Sequence, residues 1–162
     1  AGFRRYLTER FIDLLPTPPR SFHPVGRENL DRLNREMADY PIDVAFLGIG
    51  ENGHIAFNDP PADFDTEIPY RIVALDDACR RQQLGEGWFA TLDAVPKYAV
   101  TMSVRQIMKS RTIINTVPDA RKASAVKAAL HGPVTQTCPA SILQRHPDCH
   151  TYLDLDSAAL LG

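Results

Sequence analysis

A glycine-rich turn that carries a histidine is the part of this sequence best suited to chemistry. The turn GIGENGH contains Glu51, Asn52 and His54, and Asp59 follows shortly after it. Histidine exchanges a proton near neutral pH, and neighbouring carboxylates fix its tautomer and stabilise its charged form. An imidazole oriented by a carboxylate is typical of a general acid or base. We therefore predict that His54 is catalytic and that Glu51 and Asp59 are the catalytic acids beside it.

The three glycines of the same turn predict close approach to a ligand. Gly48, Gly50 and Gly53 match the dinucleotide-binding pattern G-x-G-x-x-G. That pattern requires a helix to begin at the third glycine, so that its N-terminus meets the pyrophosphate. Two consecutive prolines follow too soon for such a helix, which makes a nicotinamide cofactor the less favoured alternative. We expect Gly50, Asn52 and Gly53 to bind another substrate instead.

Lys122 is a candidate anion-binding residue. It lies near the start of a predicted helix over residues 119–130, directly after the β-branched strand pattern TIINTV. Such a position faces the carboxyl edge of a parallel sheet, where ligands bind. A lysine there can meet an anionic group as a point charge. A solvated lysine at a helix start is the alternative, although a cation there is slightly unfavourable for the helix dipole.

Five residues of metal-ligand type lie close together near the end of the chain, but their spacing argues against a metal site. They are His131, Cys138, His146, Cys149 and His150. No C-x-x-C pair is present, and adjacent residues of a strand point to opposite faces. We predict no metal, and we expect Cys138 and Cys149 to be buried as small hydrophobic side chains.

Helical and strand patterns alternate along the chain. The helical patterns cover residues 2–15, 26–39, 76–84, 104–108, 119–130 and 140–146, and the strand patterns cover 44–47, 71–75, 98–102, 112–117 and 151–155. This alternation predicts an α/β fold, a three-layer Rossmann-like arrangement in which helices flank a mostly parallel sheet. The apolar run VAFL before the glycine turn fits a strand covered on both faces, although a buried helix stays open from such a short run.

Size and composition are those of one globular domain over residues 1–162. The hydrophobic fraction is 44% and the charged fraction 23%, both ordinary values. A net charge of −2 without a clustered basic face gives no indication of nucleic-acid binding. No apolar run approaches the ~20 residues that a membrane helix needs. Three cysteines without paired spacing argue against a disulfide scaffold and favour the reducing cytoplasm.

The motif LGIGENGHIAFNDPP resembles the signature of the glucosamine-6-phosphate deaminase/isomerase family. The similarity continues in order through LDDACR, VPKYAVTM, RKASAVKAALHGP, CPASILQRHP and YLDLDSA, and therefore covers nearly the whole chain. The related 6-phosphogluconolactonases share the glycine turn and its histidine, but typically continue with a short serine-containing segment. The segment AFNDP at this point is similar to the deaminases instead.

The resemblance implies a reaction and a role for several residues. The family converts glucosamine 6-phosphate and water into fructose 6-phosphate and ammonia, without a metal or an organic cofactor. The histidine that matches His54 helps to open the pyranose ring by moving a proton at the ring oxygen, and flanking acids hold it. The lysine that matches Lys122 binds the sugar phosphate.

The sequence also departs from the family pattern. Many members carry aspartate at position 52 and glutamate at position 59; because Asn52 cannot ionise, Glu51 or Asp59 must supply the acid beside His54. The family's phosphate loop and its proton-abstracting aspartate lie upstream of the segment that matches residues 3–7, so we expect an N-terminally truncated domain, about the C-terminal two-thirds of the family's. If the 162 residues are the whole molecule, we expect no deaminase activity. An exposed sheet edge would favour homo-oligomers.

Two alternatives remain from the sequence. One is a 6-phosphogluconolactonase-like hydrolase that acts on a phosphorylated sugar lactone. The other is a non-catalytic sugar-phosphate-sensing module, since this fold type also occurs in effector domains of transcriptional regulators. A regulator should add a helix-turn-helix with a basic recognition helix, and the sequence has no such pattern.

Overall fold

The computed structural model describes residues 3–162, including all their side chains except those of Phe3, Ala38 and Asp39. The helices are α1 (Phe3–Arg10), α2 (Leu30–Asp39), α3 (Asp77–Gly85), α4 (Val104–Met108) and α5 (Ala123–His131). The strands are β1 (Val44–Leu47), β2 (Tyr70–Ala74), β3 (Tyr98–Met102), β4 (Thr112–Val117) and β5 (Cys149–Leu153). Short 3-10 helices cover Ile12–Leu14, Arg27–Asn29, Leu92–Ala94, Ala120–Lys122 and Pro139–Arg145. Gly2, where the first predicted helix begins, lies outside the described residues.

A parallel three-stranded sheet forms the centre of the fold. Its strand order is β1-β4-β5, and β1 and β4 pair from Val44 with Thr112 to Leu47 with Asn115. Because the carboxyl ends of parallel strands meet at one edge, the glycine turn after β1 lies beside the turn that leads from β4 to Lys122. The predicted α/β class, with a parallel sheet flanked by helices, is confirmed.

The hydrophobic core lies on one face of this sheet. Helices α4 and α5 and the 3-10 helix Pro139–Arg145 pack there against β4 and the glycine turn. The core side chains are Ile49, Ile55, Val104, Ile107, Ile113, Val117, Ala125, Val126, Ala129, Ala140, Ile142 and Leu143. The sheet and the start of α5 are thereby fixed relative to the turn that carries His54.

The opposite face of the sheet is exposed in the described part of the chain. On β1, Val44 is 43% exposed and Phe46 is 76% exposed, and Tyr152 of β5 is exposed on the same face. The prediction that β1 is covered on both faces is therefore wrong. A continuous apolar run identifies a strand, but it does not show which of its two faces another layer covers.

Strands β2 and β3 form a separate antiparallel sheet. They pair from Tyr70 with Met102 to Ala74 with Tyr98. The side chain of Asn34 on α2 bonds the backbone N–H and C=O of Tyr70, at 2.7 and 3.0 Å, and so holds α2 against this sheet. The side chain of Asn58 donates to the carbonyl oxygen of Met102 at 2.8 Å. The loop that follows His54 is thereby anchored to β3.

The remaining differences from the sequence predictions concern boundaries and helix type. The last strand begins at Cys149, two residues earlier than predicted. The helix predicted over 119–130 begins with a 3-10 turn before α5. The helix predicted over 140–146 is a 3-10 helix throughout. No helix begins at Gly53, as the prolines predict. Among the described residues, no helix combines the length and the apolar composition needed to cross a bilayer.

Candidate active site

The glycine turn folds back on the imidazole of His54. The N–H of Gly50 donates to the carbonyl oxygen of His54, and the N–H of Gly53 donates to that of Gly50, both at 2.9 Å. A Cβ placed on Gly50 would collide with the imidazole ring, and Gly53 has a φ of +83°, so both positions require glycine. Substrate binding by Gly50 and Gly53 stays a prediction; their N–H groups are already used within the turn.

Two acceptor oxygens hold Nδ1 of His54. The Oδ1 of Asn52 lies 2.7 Å from it and the Oδ1 of Asp59 lies 3.2 Å from it. The amide nitrogen of Asn52 faces the carboxylates of Asp59 and Asp76, at 3.3 and 3.4 Å, which fixes the orientation of the amide. Since both neighbours of Nδ1 accept, the proton of the neutral imidazole lies on Nδ1, and Nε2 keeps its lone pair. His54 is 7% exposed.

Asp59 is the acid beside the histidine. Burial alone would raise its pKa, but hydrogen bonds from His54, from the backbone N–H of Asp76 and from Asn52 outweigh burial and lower the pKa below its ordinary value. The carboxylate is therefore charged at neutral pH, which is the state that can orient and stabilise an imidazolium.

The structure adds two residues that sequence reasoning missed. Asp76 caps helix α3 by accepting from the N–H of Cys79 at 2.6 Å, and Cys79 is 1% exposed. Ligand atoms of His54, Asp59 and Cys79 all lie within 4.8 Å of one another. Burial, and then the charges of Asp59 and Asp76, raise the pKa of the Cys79 thiol to about 12. An acid directly before a predicted helix is a capping signal that could have identified Asp76; no signal pointed to Cys79.

Glu51 does not contact the imidazole. Its carboxylate pairs with Arg121 at 3.3 Å, and its backbone N–H donates to the Oε1 of Gln82 at 3.0 Å. Of the two acids proposed as partners of His54, the structure therefore brings only Asp59 to the ring. Glu51 instead connects the glycine turn to the segment that carries Lys122.

Lys122 lies at the junction of the 3-10 helix Ala120–Lys122 and α5, and it is 8% exposed. Its Nζ is 4.0 Å from the Oε1 of Glu86. Burial lowers its pKa, and the nearby charges of Glu86 and Glu51 only partly compensate. A buried lysine with so distant a partner is well placed to accept a further anionic ligand. Its neighbour Arg121 is exposed and was not predicted as a site residue.

Asp119, at the turn between β4 and Lys122, has a strained backbone. Its φ is +92°, although it is not glycine. Its N–H donates to Asp154 at 3.0 Å, and its side chain pairs with Arg121 at 2.8 Å, which lowers the pKa of the carboxyl to about 2. These bonds hold the turn in a conformation that costs energy, a feature that clusters at functional sites.

The family model described as glucosamine-6-phosphate isomerases/6-phosphogluconolactonase matches residues 4–152. The chain belongs to this family. Within the isomerase/lactonase family, it is 35% identical to a glucosamine-6-phosphate deaminase of Exiguobacterium sibiricum, covering 95% of the chain and 69% of the relative. It is 37% identical to a glucosamine-6-phosphate deaminase of Lacticaseibacillus paracasei, covering 99% of the chain and 68% of the relative.

Solved structures give the same assignment to the isomerase/lactonase family. A monomeric glucosamine-6-phosphate deaminase superposes with a TM-score of 0.87 at 32% identity, covering 98% of the chain and 67% of that structure. The 6-phosphogluconolactonase of Trypanosoma brucei superposes with a TM-score of 0.64 at 18% identity, covering 90% of the chain and 58% of that structure. At that identity, the lactonase likeness shows the fold alone.

In this member of the isomerase/lactonase family, the five residues of metal-ligand type near the end of the chain form no cluster among residues 3–162. The imidazole of His146 bonds the carbonyl oxygen of Ser110 at 2.9 Å, and His150 pairs with Asp148. Cys138 and Cys149 are half-buried, so the prediction that both are buried is wrong, and Cys138 lies against Gly53. The His/Cys/acid group found within residues 3–162 is His54, Asp59 and Cys79.

Proposed function

We propose that the chain is a glucosamine-6-phosphate deaminase, which converts glucosamine 6-phosphate and water into fructose 6-phosphate and ammonia. The observation that carries this proposal is the imidazole of His54, whose Nδ1 is held by Asn52 and Asp59 while Nε2 has no hydrogen-bond partner within residues 3–162. The deaminase relatives, about one third identical to the chain over nearly its full length, support the substrate.

The first step assigned to these residues is opening of the pyranose ring. Nε2 of His54 accepts the proton of the anomeric hydroxyl while the bond from C1 to the ring oxygen breaks and C1 becomes an aldehyde. The same nitrogen then gives that proton to the former ring oxygen, so no proton is gained or lost overall. Between the two transfers the imidazole is a cation, and the charged carboxylate of Asp59, 3.2 Å from Nδ1, stabilises it.

The sugar phosphate binds at Lys122 in this proposal. The ammonium group is buried, and its ion-pair partner within residues 3–162 is Glu86, at the long distance of 4.0 Å. A phosphate dianion recovers the electrostatic stabilisation that burial removes from this lysine, because opposite charges attract more strongly away from water. Arg121, held beside Lys122 by Asp119 and Glu51, is a second cation at the same end of the sheet.

No cofactor is required by this chemistry, since ring opening and aldose–ketose isomerisation move protons, and hydrolysis of the resulting imine consumes one water and releases ammonia. We place the protein in the cytoplasm, because Cys79, Cys138 and Cys149 are all free thiols.

We also propose that copies associate through the exposed sheet face that contains Phe46 and Tyr152. The structural relative described above is itself a monomer.

Incubation of the protein with glucosamine 6-phosphate and, separately, with a 6-phosphogluconolactone tests the function. We expect faster exchange between the α and β anomers of glucosamine 6-phosphate, measured by NMR, because ring opening interconverts them. Ammonia release reports the complete reaction. Accelerated lactone hydrolysis without anomer exchange would overturn the proposal in favour of a lactonase. Because anomer exchange requires ring opening alone, this readout does not depend on ammonia release.

A further inference from the structure

We propose that His54, Asp59 and Cys79 form a binding site for a thiophilic divalent cation such as Zn²⁺ or Cd²⁺, and that occupancy of this site blocks the proton transfer assigned to His54. The second clause rests on the proposed function; the first does not. Imidazole nitrogen, thiolate sulfur and carboxylate oxygen are the ligand types that Zn²⁺ takes in proteins. Their ligand atoms already lie within 4.8 Å of one another.

The burial of His54 and Cys79 distinguishes the group from a chance cluster of surface acids. Cys79 is 1% exposed and His54 is 7% exposed. The backbone N–H of Cys79 donates to Asp76 in the cap of α3, which fixes the start of the helix that carries the thiol, and Nδ1 of His54 lies 2.7 Å from the Oδ1 of Asn52, which fixes the imidazole. A ligand set whose side chains are already ordered loses little conformational entropy when it binds a metal.

The charge around the group gives an independent reason to expect a cation. Asp59 and Asp76 lie side by side, since the N–H of Asp76 donates to the Oδ2 of Asp59 at 3.3 Å. Within residues 3–162, no lysine or arginine pairs with either carboxylate, and the titratable partners of Asp59 are His54 and the thiol of Cys79. Two half-buried carboxylates without a fixed positive charge create a negative potential, which a divalent cation neutralises.

The fit requires only a small adjustment. Zinc bonds of about 2.3 Å to sulfur and about 2.0–2.2 Å to nitrogen and oxygen place tetrahedral ligand atoms roughly 3.3–3.8 Å apart. Separations of up to 4.8 Å therefore close by about 1 Å, within the reach of side-chain rotation. On binding, the sulfur–hydrogen bond of Cys79 breaks, its proton leaves to solvent, and the sulfur electron pair forms the bond to the metal. The fourth position stays open to water.

Occupancy would stop catalysis for a direct reason. If the metal takes the imidazole, it uses the lone pair that accepts the substrate proton, or it displaces Nδ1 from Asn52 and Asp59. In both cases, the carboxylate of Asp59 is shared with a cation and no longer stabilises the imidazolium. The protein would then combine sugar-phosphate chemistry with sensitivity to thiophilic metals at one site.

The binding test is an optical titration of the full chain, freed of metal by a chelator, with Cd²⁺. We expect one equivalent to produce the ultraviolet thiolate-to-cadmium charge-transfer absorption, and Cys79→Ser to abolish it. Cys138→Ser and Cys149→Ser are matched controls, because these thiols lie outside the group, and both should keep the absorption. His54→Ala should weaken binding at least about tenfold. An unchanged titration in Cys79→Ser, or loss of the absorption in either control, would overturn the site.

In Cys79→Ser, the serine hydroxyl keeps a hydrogen-bond donor facing Asp59. Circular dichroism checks that this variant folds. The inhibition test measures anomer exchange of glucosamine 6-phosphate with and without one equivalent of Cd²⁺. We expect inhibition of the wild type and resistance of Cys79→Ser. If Cd²⁺ binds and the rate of anomer exchange does not change, the claim that the metal blocks proton transfer by His54 is overturned. If the wild type accelerates no anomer exchange, the function fails while the titration still decides the metal site.

Discussion

The side-chain oxygen of Asn52 lies 2.7 Å from Nδ1 of His54, closer than the carboxylate of Asp59 at 3.2 Å. A neutral amide therefore provides the nearest contact to the imidazole, and the ion-pair partner of the ring within residues 3–162 is Asp59. The amide also separates Asp59 from Asp76 by donating to both carboxylates. This arrangement orients the ring without placing a second negative charge on it.

Substitution of Asn52 by Asp tests this division of roles. The new carboxylate would lie beside Asp59 and Asp76, and it would favour the protonated form of the imidazole. Since the base form of His54 starts ring opening, we expect the acid limb of the rate–pH profile to move to higher pH by about one unit. The profile of anomer exchange measures this. An unchanged profile in a folded Asn52→Asp protein would contradict the role of the amide.

Gly50 tests whether the imidazole must lie against the turn. A Cβ at this position would collide with the His54 ring, so Gly50→Ala must push the ring away from Asn52 and Asp59. We expect ring opening to slow by about 100-fold, since small misplacements of catalytic groups have effects of this size. Gly48→Ala is the matched control, because its Cβ meets only a backbone oxygen of Thr116 at 3.5 Å, an ordinary contact. Equal rates in the two variants would exclude the positioning argument.

Lys122 should show a conflict between stability and binding. Burial lowers its pKa below the ordinary value of 10.5, so the fold disfavours the charged form, and stability should rise as pH increases from the folded pKa towards 10.5. Lys122→Met should therefore fold at least as stably as wild type near neutral pH, while its KM for the sugar phosphate rises about tenfold or more. Thermal unfolding and kinetics measure the two effects.

The matched control for this substitution is Lys127→Met, an exposed lysine in α5, the helix that follows Lys122; this substitution should alter neither quantity. A marked loss of thermal stability in Lys122→Met, with KM unchanged, would show that the lysine is structural.

Asp59 should make the fold sensitive to acid. Its pKa is lowered from the ordinary value of 3.8, so its stabilising contribution is present above that pH and is lost as pH falls through the lower folded value. The difference in unfolding free energy between wild type and Asp59→Asn should therefore be largest near neutral pH and should shrink below about pH 4. Urea unfolding at several pH values measures it. A difference that is independent of pH would show that the charge of Asp59 does not matter to the fold.

Local patterns predicted the elements that position the site. The β-branched run TIINTV and the run YAVTM gave β4 and β3 with their observed bounds, because side-chain pattern and turn residues specify a strand directly. The glycine turn and Lys122 each follow a predicted parallel strand, and this was enough to predict that both lie at the carboxyl edge of the sheet. The prolines after the turn correctly excluded a helix at Gly53.

Long-range packing accounts for what the sequence did not reveal. The exposure of Phe46 depends on which sheet face the helices cover, and a continuous apolar run carries no such information. Cys79 reaches His54 through the cap of α3, 25 residues further along the chain, and no local pattern links the two. Glu51 is next to Asn52 in sequence, yet it turns towards Arg121, because adjacent residues of a tight turn project in different directions.

The rate of anomer exchange of glucosamine 6-phosphate in His54→Ala tests the central claim most directly. His150→Ala is the matched control, since that histidine is exposed and pairs with Asp148 outside the site. We predict that His54→Ala loses about 10²- to 10⁴-fold of the acceleration while it still binds the sugar phosphate, and that His150→Ala behaves as wild type. A folded His54→Ala protein that opens the ring at the wild-type rate would contradict the account.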